Sequence, residues 1–64
     1  MIKNVIGSKR SERGLTQQQL ADMLGWTLRK LTSYERGERV PPLSEALRLA
    51  TVLGVPVEGL WILE

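Results

Sequence analysis

The chain contains no cysteine and no histidine, which excludes disulfides, thiolate nucleophiles and Cys- or His-based metal sites, and removes the commonest general base. Its seven carboxylates are scattered, without the paired spacing that acid–base chemistry uses, and no Ser, Lys or Tyr stands in a recognisable catalytic motif. Enzymatic chemistry is not expected, nor is a metal or cofactor. Aromatic residues are scarce, two Trp and one Tyr with no Phe. No apolar run approaches the ~20 residues of a membrane span, and the segment Met1 to Lys9 lacks the apolar stretch of a signal peptide. The expectation is a soluble, cytoplasmic protein with no membrane partner and no evident small-molecule ligand.

What is present is the balance of a small folded domain: 64 residues, 42% hydrophobic and 25% charged, read as one domain over 1–64. A chain this short buries only ~60% of its unfolded surface, so it relies on well-packed helices or on a second subunit. The net charge of +2 hides an asymmetry. Residues 1–40 hold eight cations against four carboxylates, a balance of +4, and the remainder holds Arg48 against Glu45, Glu58 and Glu64, a balance of −2. A basic first part with a neutral-to-acidic end suggests a polyanion-binding face on one side.

Ile2, Val5 and Ile6 recur at helical spacing, and the pattern runs to Arg13, with Gly14 suited to the position just past a helix end. Gly7 inside this first helix costs about 1 kcal/mol relative to Ala. Thr16-Gln17-Gln18-Gln19 reads as a capping box opening a second helix, which presents Leu20, Ala21, Met23 and Leu24 on one face and stops at Gly25. Thr27 is the next N-cap, so a third helix from Leu28 to about Glu35 leaves the second at a sharp angle. A fourth helix, about Leu43 to Leu53, carries Ala46, Leu47, Leu49, Ala50 and Leu53 towards a core; its N-cap is either Pro42 or Ser44. After Pro56 a short fifth helix is expected over Val57 to Leu63. No period-two pattern competes, so no sheet is expected. The fold class is all-α, a compact five-helix bundle.

The spacing from Gln17 to Arg36 is the most informative feature. Leu20, Ala21, Leu24, Gly25, Trp26, Leu31 and Tyr34 put apolar or small side chains where a tight helix-turn-helix requires them. The polar residues Thr27, Arg29, Lys30, Thr32, Ser33 and Arg36 fall on the outward side of the third helix. Gly14-Leu-Thr-Gln-Gln-Gln-Leu-Ala-Asp-Met-Leu-Gly25, Leu31-Thr-Ser-Tyr-Glu-Arg-Gly37 with Pro41, and Leu49-Ala50 followed by Leu53-Gly54-Val55 and Leu60 together resemble the Cro/phage-repressor (Xre-like) helix-turn-helix family, the lambda-repressor-like DNA-binding domains. The resemblance covers about residues 5 to 61.

That resemblance implies five helices, a third helix that enters the major groove, and a homodimer on a roughly two-fold symmetric operator. It places Gln17 and Gln18 near the phosphate backbone, where amides and helix-terminal N–H groups bind anions. It assigns base reading to Thr27, Leu28, Arg29, Lys30 and Ser33. Leu28 stands where some members use an amide, so its natural partner is a thymine methyl, with core or interface packing as the alternative. Lys9 stands where many members have an apolar residue. The resemblance also suggests that Arg10 and Glu35 pair across two helices. Arg36 and Arg39, following the third helix on the same side, suit backbone contact, with a plain solubility role as the alternative.

Towards the end of the chain, Val57, Leu60 and Trp61 fill the one face that a short helix has to bury, which leaves Ile62 and Leu63 over. That excess points to contact with a second subunit, and the end segment Leu60, Trp61, Ile62 and Leu63 is the expected dimer interface, with the loop around Val40 and Pro42 as the alternative. The function expected is a sequence-specific, double-stranded-DNA-binding transcriptional regulator. A protein-interaction module, antitoxin-like or an assembly protein, that uses the helix-turn-helix as scaffold is the rival. Such a surface would be expected to show aromatic anchors where this helix shows cations and short polar residues.

Overall fold

The computed structural model describes residues 2–63. The order of elements is β1 (Ile2–Asn4), α1 (Ile6–Glu12), α2 (Gln17–Leu24), α3 (Leu28–Glu35), α4 (Leu43–Leu53), one 3-10 turn at Val57–Gly59, and β2 (Trp61–Leu63). The fold is mostly helical: the described residues form four α-helices and a two-stranded antiparallel ribbon in which Ile2 faces Leu63, Lys3 faces Ile62 and Asn4 faces Trp61. The expected five helices without a sheet are corrected at both ends of the chain. Helix one starts at Ile6 rather than Ile2, because the Val5 N–H donates to the Leu60 carbonyl at 2.8 Å and the Asn4 side chain accepts from the Ile6 N–H at 3.3 Å. The expected fifth helix stops after one turn, since Gly59 weakens it and the bulky Trp61-Ile62-Leu63 suits an extended strand.

The middle helices are set by local chemistry. Thr16 Oγ1 accepts the Gln19 N–H at 3.1 Å and Gln19 Oε1 accepts the Thr16 N–H at 2.8 Å, a reciprocal capping box. Gly25, at φ 73°, closes α2 in the left-handed region that a side chain would resist. Thr27 Oγ1 accepts the Lys30 N–H at 3.1 Å and starts α3. Pro42 is the N-cap of α4, which resolves the choice between it and Ser44. Among the described residues no helix is long and apolar enough to cross a membrane.

Ile6, Leu20, Leu24, Leu31, Leu49, Leu53 and Leu60 form the fully buried centre, with Ala21, Ala50, Trp26 and Tyr34 around it. Leu60 is thus a core residue with no surface to offer a second subunit, and its expected place in a dimer interface is withdrawn. Met23 and Leu47 are exposed rather than core-facing. Both sit beside true core positions, and Leu20, Ala21 and Leu24 on α2 and Leu49, Ala50 and Leu53 on α4 already supply the face that each helix turns to the core.

Candidate nucleic-acid interface

Successive residues on α3 are rotated by roughly 100°. With Leu31 and Tyr34 turned into the core, Arg29, Ser33 and Arg36 fall on the opposite meridian, and Lys30 and Thr32 on the two flanks. Thr27, Arg29, Lys30, Thr32, Ser33, Arg36, Glu38 and Arg39 line a surface depression of about 580 Å³. Four cations face one carboxylate there, a positive, polar surface suited to a polyanion. The side chains of Arg29 and Arg36 have no hydrogen-bond or ion-pair partner among the described residues, so their guanidinium forks are free for a ligand. Leu28 is exposed at the N-terminal end of the helix.

Lys30 and Arg39 are held differently. The Lys30 ammonium lies 2.6 Å from Glu45 Oε2 and 4.9 Å from the centroid of the Trp26 ring. The Arg39 guanidinium lies 5.7 Å from the Tyr34 ring. Trp26 and Tyr34 meet edge to face, with centroids 5.5 Å apart, so one aromatic pair supports both cations. The Tyr34 hydroxyl donates to Glu45 Oε1 at 2.7 Å. That hydrogen bond to Glu45, reinforced by burial, raises the Tyr34 pKa above its usual value. Hydrogen bonds from Lys30 and then from Tyr34 hold the Glu45 carboxyl below the ordinary carboxylate value. Sequence reading missed Glu45, which is 15 residues from Lys30, beyond the reach of any helical spacing rule.

The depressed Glu45 value has a definite consequence for stability. Its carboxylate contributes stability above the ordinary carboxylate range, and that contribution is lost as pH falls through the lower folded-state value. Glu45→Gln should therefore be less stable than wild type at about pH 7, and the difference should shrink towards about pH 3. Thermal melts of both proteins across this range check it; a gap independent of pH would refute the linkage.

On the other flank, Arg10 Nε donates to Glu35 Oε2 at 3.0 Å and Arg10 Nη2 to Glu35 Oε1 at 3.5 Å. The guanidinium also donates to the Leu15 carbonyl at 2.8 Å. Gly7 accounts for this approach, since a Cβ there would meet Glu35 Oε1 at 3.2 Å. Gln17 sits at the start of α2 and donates to Glu35 Oε1 at 3.2 Å, and Gln18 donates to Asp22 at 2.8 Å. Lys9 pairs with Glu12 at 3.6 Å. Arg48, from α4, donates to the Leu24 carbonyl at 2.9 Å and so satisfies the C-terminal end of α2.

At the far end of the chain, Ile2, Val40, Pro41, Leu43, Ala46, Val57 and Trp61 line an apolar groove of about 310 Å³ that shares no residue with the depression. Opposed residues of an antiparallel ribbon point to one face. The register therefore puts Leu63 with Ile2 and Trp61 on the groove side, and Ile62 with Lys3 on the other.

The sequence profile described as Helix-turn-helix matches residues 6–60. An uncharacterised HTH-type transcriptional regulator of Methanothermobacter thermautotrophicus is 36% identical over 64 residues, covering 98% of this chain and 93% of that protein. The cryptic phage CTXphi transcriptional repressor RstR of Vibrio cholerae is 30% identical over 59 residues, 92% of this chain and 53% of the repressor. A Bacteroides fragilis protein of known crystal structure superposes with a TM-score of 0.88 at 22% identity, over 97% of this chain and 100% of that one, which shows the shared fold.

Proposed function

The chain belongs to the helix-turn-helix family of transcriptional regulators, and from that premise we propose that it binds a two-fold symmetric operator in double-stranded DNA as a homodimer, with α3 in the major groove. The observation that carries this is the Arg29–Ser33–Arg36 meridian, whose two guanidinium groups have no partner among the described residues, inside a depression that Arg39 also lines. Arg29 reads a guanine edge, with Thr27, Leu28 and Ser33 beside it. Arg36 and Arg39 hold phosphates, and Gln17 and Gln18 stand at the N-terminus of α2, where backbone N–H groups receive them. No catalytic step is required of this surface.

Binding should weaken steeply with salt. With about three phosphates neutralised per subunit, log K for a dimer falls against log salt with a slope of about −5. In-vitro selection from random duplexes followed by salt titration on the enriched site tests the whole reading. A single enriched palindrome with such a slope supports it; no enrichment, or binding indifferent to salt, refutes it.

The homodimer has support in the apolar groove. Ile2, Val40 and Leu43 line it and are exposed, and Leu47, one turn beyond Leu43 on α4, and Leu63, on the groove side of the ribbon, are exposed as well, a grouping of apolar side chains of the kind that marks interaction surfaces. Projecting leucines beside a groove make the patch self-complementary, which a two-fold interface demands. Leu63→Glu or Leu43→Glu should shift the chain to monomer in sedimentation at rising concentration and remove cooperative binding to a palindrome, while weak half-site affinity survives. Ile62→Glu, on the other face of the ribbon, should leave the equilibrium unchanged. The reverse pattern would move the interface to the outer face.

A further inference from the structure

Lys30 lines the same depression as Arg29 and Arg36, yet its charge is already committed. Its ammonium is fixed by Glu45 at 2.6 Å and lies over Trp26, while the second Glu45 oxygen is fixed by the Tyr34 hydroxyl at 2.7 Å. Trp26 and Tyr34 are both buried, and Glu45 stands in the first turn of α4. Every partner of Lys30 is thus anchored to the core or to a helix. We propose that Glu45 is a positioning residue of the DNA-binding face, which with Tyr34 and Trp26 latches Lys30 against α4 so that it neither reads bases nor takes a phosphate. The latch rests on the DNA-binding reading above and narrows it.

A lysine is a compact charge on a flexible stem. Released at the edge of α3, it would reach whichever phosphate lay nearest, on any sequence, and so add affinity without discrimination. Specificity is a difference between two affinities, and a cation that favours both duplexes equally dilutes it when the competing sites are many. Glu45 prevents this in two ways. It neutralises Lys30 within the protein, so the pair releases no counterion from DNA. It also shares its carboxylate with Tyr34, which keeps the pair in one geometry where a simple surface ion pair would exchange with water.

Binding of the full chain to its selected duplex and to a scrambled duplex, each across a salt series, tests the latch. Glu45→Gln keeps an acceptor for Tyr34 but frees Lys30. The slope of log K against log salt should then steepen by about 0.9 per half-site, and scrambled-duplex affinity should rise about fivefold, lowering the ratio of the two affinities. Lys30→Met/Glu45→Gln removes both charges and keeps an unbranched chain over Trp26; its slope and ratio should equal those of wild type. The latch is overturned if this double variant flattens by about 0.9 per half-site, or if Glu45→Gln changes neither quantity. Should the double variant fold poorly, the Lys30 ammonium resonance of wild type decides as the selected duplex is added: unmoved when latched, shifted when it takes a phosphate. A wild-type chain without salt-dependent affinity for duplex DNA would overturn the DNA-binding reading and the latch together. Wild-type binding with a flattened double variant would overturn the latch alone.

Discussion

Arg10→Met or Glu35→Gln alone should lower stability by about 2–4 kcal/mol, and the double variant should recover part of that loss. The two side chains join α1 to the end of α3 through a forked contact at 3.0 and 3.5 Å. Their side chains are only 17% and 9% exposed, so water cannot replace a missing partner fully. Glu35 also accepts from Gln17, and Arg10 also donates to the Leu15 carbonyl. Removing the guanidinium therefore strands a carboxylate and a carbonyl together, which puts Arg10→Met at the upper end of the range. Glu35→Gln keeps one oxygen for a donor and falls at the lower end. Urea denaturation of the two single variants and the double closes the cycle. Losses that simply add would show that the contact contributes nothing as a pair.

Arg29→Ala should cost about 1–3 kcal/mol on the selected duplex and relax preference at one base pair per half-site, while Arg36→Ala weakens all duplexes alike. Both arginines lie on the outward meridian of α3, but Arg29 is its second residue, in the first turn, at the end that meets base edges when such a helix enters the major groove. Arg36 is the C-cap of the helix, where the chain turns away. A guanidinium can take two guanine acceptors at once, so its loss is felt at one base pair rather than spread along the site. Repeating the site selection with each variant separates the roles. Identical, sequence-independent losses would remove Arg29 from base reading.

Much of this interface is written in short-range patterns. Thr16 and Gln19 announce the start of α2, Gly25 its end and Thr27 the start of α3, each through contacts that span no more than four residues. The core residues Leu20, Leu24, Leu31, Leu49 and Leu53 follow from helical periodicity for the same reason. The ends of the chain misled because Ile2, Val5 and Ile6 fit a helical stripe equally well, and a strand of three residues is too short to show a period of two. Gly7 read as a cost; its benefit, room for the Glu35 carboxylate, lies across the fold.

The sequence by itself determined the helix-turn-helix, its caps and the outward arginines, because propensity, capping and amphipathic spacing act between residues within about a turn of each other. The tertiary structure alone decided that residues 2–4 pair with 61–63, that Leu60 is core while Leu63 is exposed on the ribbon face shared with Ile2, and that Lys30 is bound by Glu45. Those outcomes depend on which distant segments the closed core brings within a few ångströms, and side-chain hydrogen bonds act only at that range. No spacing along the chain encodes that distance.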